Sequence, residues 1–311
     1  MHMIPSKAFS RLSILLLSSC FFLTTTAHGQ SYVIDDLDRF ESLFKAESGE
    51  LTAEMLQKQY IDPGSPGVEI FTPNRIQNAD NLAKYIAGHR EEYSKAIEVC
   101  LPAARSAEPE ASEALEKVRE LLGREDSAPV YILFGAGNSG GTAGMDGLTI
   151  GLEVVCRFAN TQEEAQATIK EYVAHEVVHV YQQRIWVETE RDLSGSFTLL
   201  QYALMEGVAD FVSYLATGVT PLPEQDREAY GLANEAELWE EFKAEMNVAE
   251  LGSWMYGPGK DGRPSDLGYW IGKRISAAYY EQADDKAAAL LKLVSVDDAE
   301  EILRESNYMN P

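Results

Sequence analysis

Residues 174–183 read AHEVVHVYQQ. His175 and His179 are four positions apart. On a helix, residues i and i+4 lie one turn apart on one face, with Cβ atoms about 5–6 Å from each other. Two imidazoles at that spacing reach one cation. Zinc takes a few N, O or S ligands in a tetrahedron and keeps one position open in a catalytic site. Glu176 sits too far round the helix to ligate the same ion well, but it is placed to take a proton from a water that the ion activates. The plainer reading is a solvated helix face. Against it stands the scarcity of histidine: the chain has 5 in 311 residues, and two of them fall at this spacing.

A zinc site needs a further ligand. No histidine follows His179, which excludes the HExxHxxGxxH arrangement. His89 lies far upstream, in an acidic stretch. The expected third ligand is Glu206, in LMEGVADF, with Asp210 one turn later on the same face. Glu206 would bind the ion, and Asp210 would accept the N–H of His175 and fix its tautomer. Gly207 is expected to let the two ligand-bearing helices approach closely. The bland alternative for this pair is a solvated acidic patch. A tetrahedral intermediate also requires a donor for its developing oxyanion. Tyr256, Tyr269 and Arg274 are the candidates.

These residues need elements to hold them. A helix is expected from Asn160 or Thr161, with TQEE as a capping box from Thr161 to Glu164. Ala165, Ile169, Val173, Val177 and Val180 form its apolar stripe, which would leave the histidine face free to line a cleft. A second helix is expected over about residues 197–217, ending at Gly218, with Leu200, Leu204, Val208, Phe211 and Leu215 as its stripe. Ahead of both, residues 128–134 read as a strand. Residues 148–157 read as another by period-two alternation: Leu148, Ile150, Leu152, Val154 and Cys156 point one way, and Thr149, Gly151, Glu153 and Arg157 the other. One free side would let an extended peptide add to this strand, making Leu148, Thr149, Gly151 and Glu153 the expected substrate strand. Between the strands, GAGNSG fits GxGxxG, but it leads into a strand and not a helix. It therefore reads as a hairpin or flap, not a nucleotide loop. The remaining segments read as helices. The fold class is α+β, predominantly helical and zincin-like, with a small sheet packed on the HExxH helix.

Composition bounds the function. Lys and Arg total 26 against 50 Asp and Glu, a net charge of −24, which leaves no basic surface for nucleic acid or anionic lipid. The first residues, MHMIPSKAFSR, are basic. Leu12–Leu23 is apolar but too short to span a bilayer. Ala27 and Gly29 are small residues at a plausible cleavage site. Residues 1–29 are thus expected to be a signal peptide. Residues 30–311 are expected to form one zincin-like catalytic domain: a helical part at 33–125, the strands and HExxH helix at 126–190, and a C-terminal helical part at 191–311. The rival reading takes LSSC as a lipobox, with Cys20 lipidated as a membrane anchor. Either way the mature protein is exported, to the periplasm or beyond. Two cysteines, Cys100 and Cys156, could pair in an oxidising compartment.

AHEVVHVYQQ with LMEGVADF, preceded by YILFGAGNSGGTAG and followed by DLGYWIGKRI and EILRESNY, resembles a bacterial family of predicted zinc-dependent proteases. The gliding-motility lipoprotein B group is a distant relative of that family. DLDRF and QYIDPGSPG extend the resemblance over residues 33–308. It implies a gluzincin-type fold, secretion or lipid anchoring, and functional roles for His175, Glu176, His179 and Glu206, but no particular substrate. The expectation is a zinc hydrolase acting on peptides or proteins. The alternatives are an envelope scaffold with a structural zinc, or a zinc hydrolase with a non-peptide substrate.

Overall fold

The computed structural model describes residues 32–46 and 50–309. The expected leader and Cys20 lie outside them. The chain is mostly helical, with one four-stranded sheet, as the α+β class requires. The strands are β1 (Tyr32–Val33), β2 (Val130–Leu133), β3 (Gly141–Gly144) and β4 (Gly147–Gly151), in the order β1-β2-β4-β3. β2 runs parallel to β1 and to β4, while β3 and β4 form an antiparallel hairpin. The glycine-rich connection thus ends in a hairpin.

The motif helix spans Gln162–Glu188. The Thr161 hydroxyl accepts the N–H of Glu164, and the Glu164 carboxylate accepts the N–H of Asn160. The capping box is therefore shifted back by one residue on its return bond. Ala165, Ile169, Val173, Val177 and Val180 are fully buried. His175 and His179 on the other face stay partly exposed. The helix packs against β3 and β4, against the helix Glu108–Leu121, and against the second ligand-bearing helix, Leu199–Thr217. That second helix starts on a full capping box between Thr198 and Gln201 and stops at Gly218, which adopts a left-handed φ of 73°.

Two expectations about this framework are corrected. The strand over 148–157 ends at Gly151, and Leu152–Phe158 is a helix. Leu152, Glu153, Val154, Val155 and Cys156 are all buried in it, so burial does not follow the alternation expected of a half-buried strand. Glu153 fixes the outcome. Its buried carboxylate accepts the N–H groups of Gly135 and Gly137 at 2.9 and 3.0 Å, so it organises the glycine loop and does not face a substrate. β4 also has no free edge, since β2 and β3 flank it. Leu148 and Thr149 are fully buried, and Thr149 donates to the carbonyl of Gly67. The edge strand beside β4 is β3, and β1 forms the other edge of the sheet.

Gly207 does permit a close helix crossing, but with a different partner. A Cβ on Gly207 would lie 2.2 Å from the backbone of Gly272, and one on Gly272 would lie 1.7 Å from the carbonyl oxygen of Ala203. Gly272 belongs to the helix Leu267–Gln282, which carries Tyr269. Cys100 and Cys156 form a disulfide that ties the helix after β4 to the N-terminal helical region. Among the described residues no helix is long and apolar enough to cross a membrane.

Candidate metal centre

His175 and His179 project from one face of the motif helix toward Glu206 on the adjacent helix. Nε2 of His179 lies 3.0 Å from Nε2 of His175 and 3.0 Å from Oε2 of Glu206, and His175 Nε2 lies 3.4 Å from the same oxygen. Ligands 2.0–2.1 Å from a tetrahedral centre stand about 3.3 Å apart. The three atoms thus have the separations of three corners of a zinc site. Among the described residues, these three form the group able to hold a metal ion.

The far side of each imidazole shows why the near side suits a cation. His175 Nδ1 lies 2.8 Å from Asp210 Oδ1, and His179 Nδ1 lies 2.7 Å from Gln182 Oε1. Both partners are acceptors, so with protons on the two Nδ1 atoms both Nε2 atoms would direct lone pairs at one point. Glu206 Oε2 adds a third acceptor there. Three converging acceptors need positive charge between them, either a proton or a metal ion. The donor set fits zinc.

Electrostatics agree. Burial acts to raise the pKa of Glu206, but His179 and His175 beside it outweigh burial and hold it well below the usual carboxylate range. Burial acts to lower His175, yet Asp210 and Glu206 push it well above its ordinary value. His179 is raised as well: burial opposes its charge, and Glu206 outweighs burial.

Glu176 is buried beside the triad, and burial raises its pKa. Its carboxylate packs on the backbone of the edge strand, where a Cβ on Gly141 would fall 2.3 Å from Oε1. Arg75, not singled out in the sequence, donates to Thr142 of the same strand at 2.9 Å and acts to lower the pKa of Glu176.

The tyrosines lie on the other side. The Tyr256 hydroxyl donates to Glu206 Oε1 at 2.6 Å, leaving Oε2 to the imidazoles. This occupies Tyr256 in orienting a ligand. Its backbone sits in the left-handed region at φ 59°, and its N–H donates to Asp266, itself at φ 59°. Two non-glycine residues held there mark a tightly determined loop. The ring of Tyr269 stacks on His175 with centroids 6.4 Å apart. Arg274 does not join the site: it pairs with Glu235. His89 is exposed against Tyr85 and is not a ligand.

Three further residues were not visible in the pattern. Arg227 donates to Asp210 Oδ2 at 2.8 Å and lies over the Tyr269 ring. Glu224 stands 3.5 Å from Arg227, and burial and Asp210 push its pKa up to about 7. Gln182 holds His179. Only Gln182 left a sequence signal, its position one turn beyond His179.

No curated protein and no solved structure matches the chain. The family described as Predicted Zn-dependent protease (DUF2268) matches residues 107–304. That span contains the motif helix, Glu206, Asp210, Tyr256 and Tyr269, and the zinc its description names suits the His175–His179–Glu206 group. The chain belongs to this family of predicted zinc-dependent proteases.

Proposed function

We propose that the chain is an exported zinc metallopeptidase of gluzincin type, with His175, His179 and Glu206 as ligands and Glu176 as general base. One observation carries this reading: three lone-pair acceptors converge on a point beside a buried carboxylate that is not itself a ligand. A bound zinc ion would supply Lewis acidity toward a carbonyl oxygen and acidify a water. Glu176 would then take the water proton at its carboxylate and hand it to the departing amine. Burial favours this, because it raises the pKa of the Glu176 carboxylate and so makes it a stronger base than an exposed one.

β3 supports a peptide substrate. It is one of the two edge strands of the sheet, and Gly141 brings that edge against Glu176, so an extended chain added there would pass the base. The Ala143 carbonyl currently accepts from Gln183 Nε2 at 3.1 Å, a bond that an incoming strand would replace. Tyr269, packed on His175, is the proposed oxyanion donor.

The test combines metal analysis with a peptide-library digest. Stoichiometric zinc is expected in the wild type and lost in His175→Ala. Cleavage is expected to vanish in Glu176→Gln with zinc retained. Protein that stays zinc-free after loading would sink the reading. So would full cleavage by Glu176→Gln.

A further inference from the structure

Gln182 follows His179 by three residues on the motif helix and is buried. Its two ends have different partners. Nε2 donates to the backbone carbonyl of Met205 at 2.9 Å. Oε1 lies 2.7 Å from His179 Nδ1. A backbone carbonyl only accepts, so the amide nitrogen must be the end that faces Met205. Oε1 is then the acceptor, and the His179 proton must reside on Nδ1. Met205 immediately precedes Glu206. One side chain therefore links the second histidine to the backbone that carries the carboxylate ligand.

His175 is held by other means, through the Asp210 carboxylate and its partner Arg227. Asp210 ties His175 to the Glu206 helix one turn beyond the carboxylate ligand, whereas Gln182 ties His179 to the backbone of Met205, immediately before it. The chemistry at position 182 is restrictive. A glutamate could accept from His179 but would set a carboxylate oxygen against the Met205 carbonyl. A leucine would do neither. An asparagine is one methylene shorter and would not bridge both partners.

We propose that Gln182 is a positioning residue that fixes both the tautomer of His179 and the separation of His179 from Glu206, so that the ligand set is assembled before the ion arrives. The proposal rests on the zinc reading of the site. It predicts that Gln182 governs metal affinity more than fold stability. Groups behind metal-binding histidines typically alter affinity 10- to 100-fold when removed.

Zinc dissociation constants would be measured by chelator competition for the wild type, Gln182→Leu and the near-isosteric Gln182→Glu. ¹⁵N-histidine spectra of the zinc-loaded proteins would report the His179 Nδ1–H, and circular dichroism the fold. The wild type should show a slowly exchanging Nδ1–H. Gln182→Leu should lose that signal and about 10- to 100-fold in affinity. Gln182→Glu should keep the signal and still lose affinity, because its tie to Met205 is broken. Zinc-loaded wild type with the His179 proton on Nε2 would overturn the proposal. So would folded variants that bind zinc as tightly as the wild type. Wild-type protein that takes up no zinc would overturn the metal reading, and the proposal with it; that outcome is distinct, because no loaded spectrum would then exist.

Discussion

Glu176 and Gly141 touch so closely that any side chain at position 141 would have to push the glutamate aside: a Cβ there would lie 2.3 Å from Oε1, 2.5 Å from Cγ and 2.6 Å from Cδ of the glutamate. The contact places the edge of the sheet against the proposed base. Gly141→Ala should therefore displace the Glu176 carboxylate while leaving the three ligands in place. The expected result is zinc content unchanged and peptide cleavage reduced about 10²-fold or more, within the usual range for general-base losses. Equal turnover by Gly141→Ala and the wild type would contradict this geometry.

The triad should make zinc affinity depend on pH. His175 lies above its ordinary value, so its protonated form stabilises the metal-free fold at low pH, and that contribution is lost as pH rises through the raised value. Glu206 behaves oppositely. Its ionised form stabilises the fold above the ordinary carboxylate range, and that contribution is lost as pH falls through its depressed value. Zinc binds the deprotonated ligands, so it competes with protons for them. Apparent zinc affinity should climb as pH rises from about 6 toward the raised His175 value. Titration calorimetry in two buffers of different protonation enthalpy should show proton release. A flat affinity profile would argue against this balance.

Asp210 and Arg227 form a buried pair behind His175. Asp210→Asn keeps the shape but weakens acceptance of the His175 proton, and zinc affinity should fall about 10- to 100-fold. Arg227→Met leaves a buried carboxylate without its cation and should destabilise the fold by about 3–5 kcal/mol. Chelator competition and urea melts separate the two effects.

The crossing at Gly207 and Gly272 should tolerate no side chain. In Gly272→Ala the new Cβ would meet the Ala203 carbonyl, a backbone atom that cannot swing away. Overpacking of this kind costs about 1–3 kcal/mol, measurable as a lowered urea midpoint. Because the same helix carries Tyr269, the stacking on His175 should loosen as well.

The disulfide closes a separation of 56 residues. Chain entropy assigns a loop of that length about 4 kcal/mol. Cys100→Ser with Cys156→Ser, or reduction, should lower stability by an amount of that order, with no loss of zinc from the folded protein. Metal loss without unfolding would show that the link also holds the site.

Much of the centre was legible in the chain itself. Histidines four apart on an amphipathic helix must share a face, and an ExxxD pair on the next helix must present both acids to one side, because helical geometry is local. Helix caps at Thr161 and Gly218 were readable for the same reason. The strand assignment over 148–157 went astray because LEVVC satisfies both periods. The deciding contact, Glu153 on the glycine loop, is a tertiary one. β4 was expected to be open, yet strand order depends on pairings across the chain: β3 closes one side and β2 the other.

Sequence alone determined the candidate ligand types, their helical spacing and the carboxylate beside them, since these follow from residue chemistry and the pitch of a helix. Tertiary structure decided which strand forms the edge, which glycines mark the close crossing, and which residues stand behind each histidine. Gln182 reaches Met205, Arg227 reaches Asp210, and Tyr256 reaches Glu206 across 23, 17 and 50 residues of chain. Such contacts arise only when the packing of several helices brings distant segments together, and no local pattern encodes them.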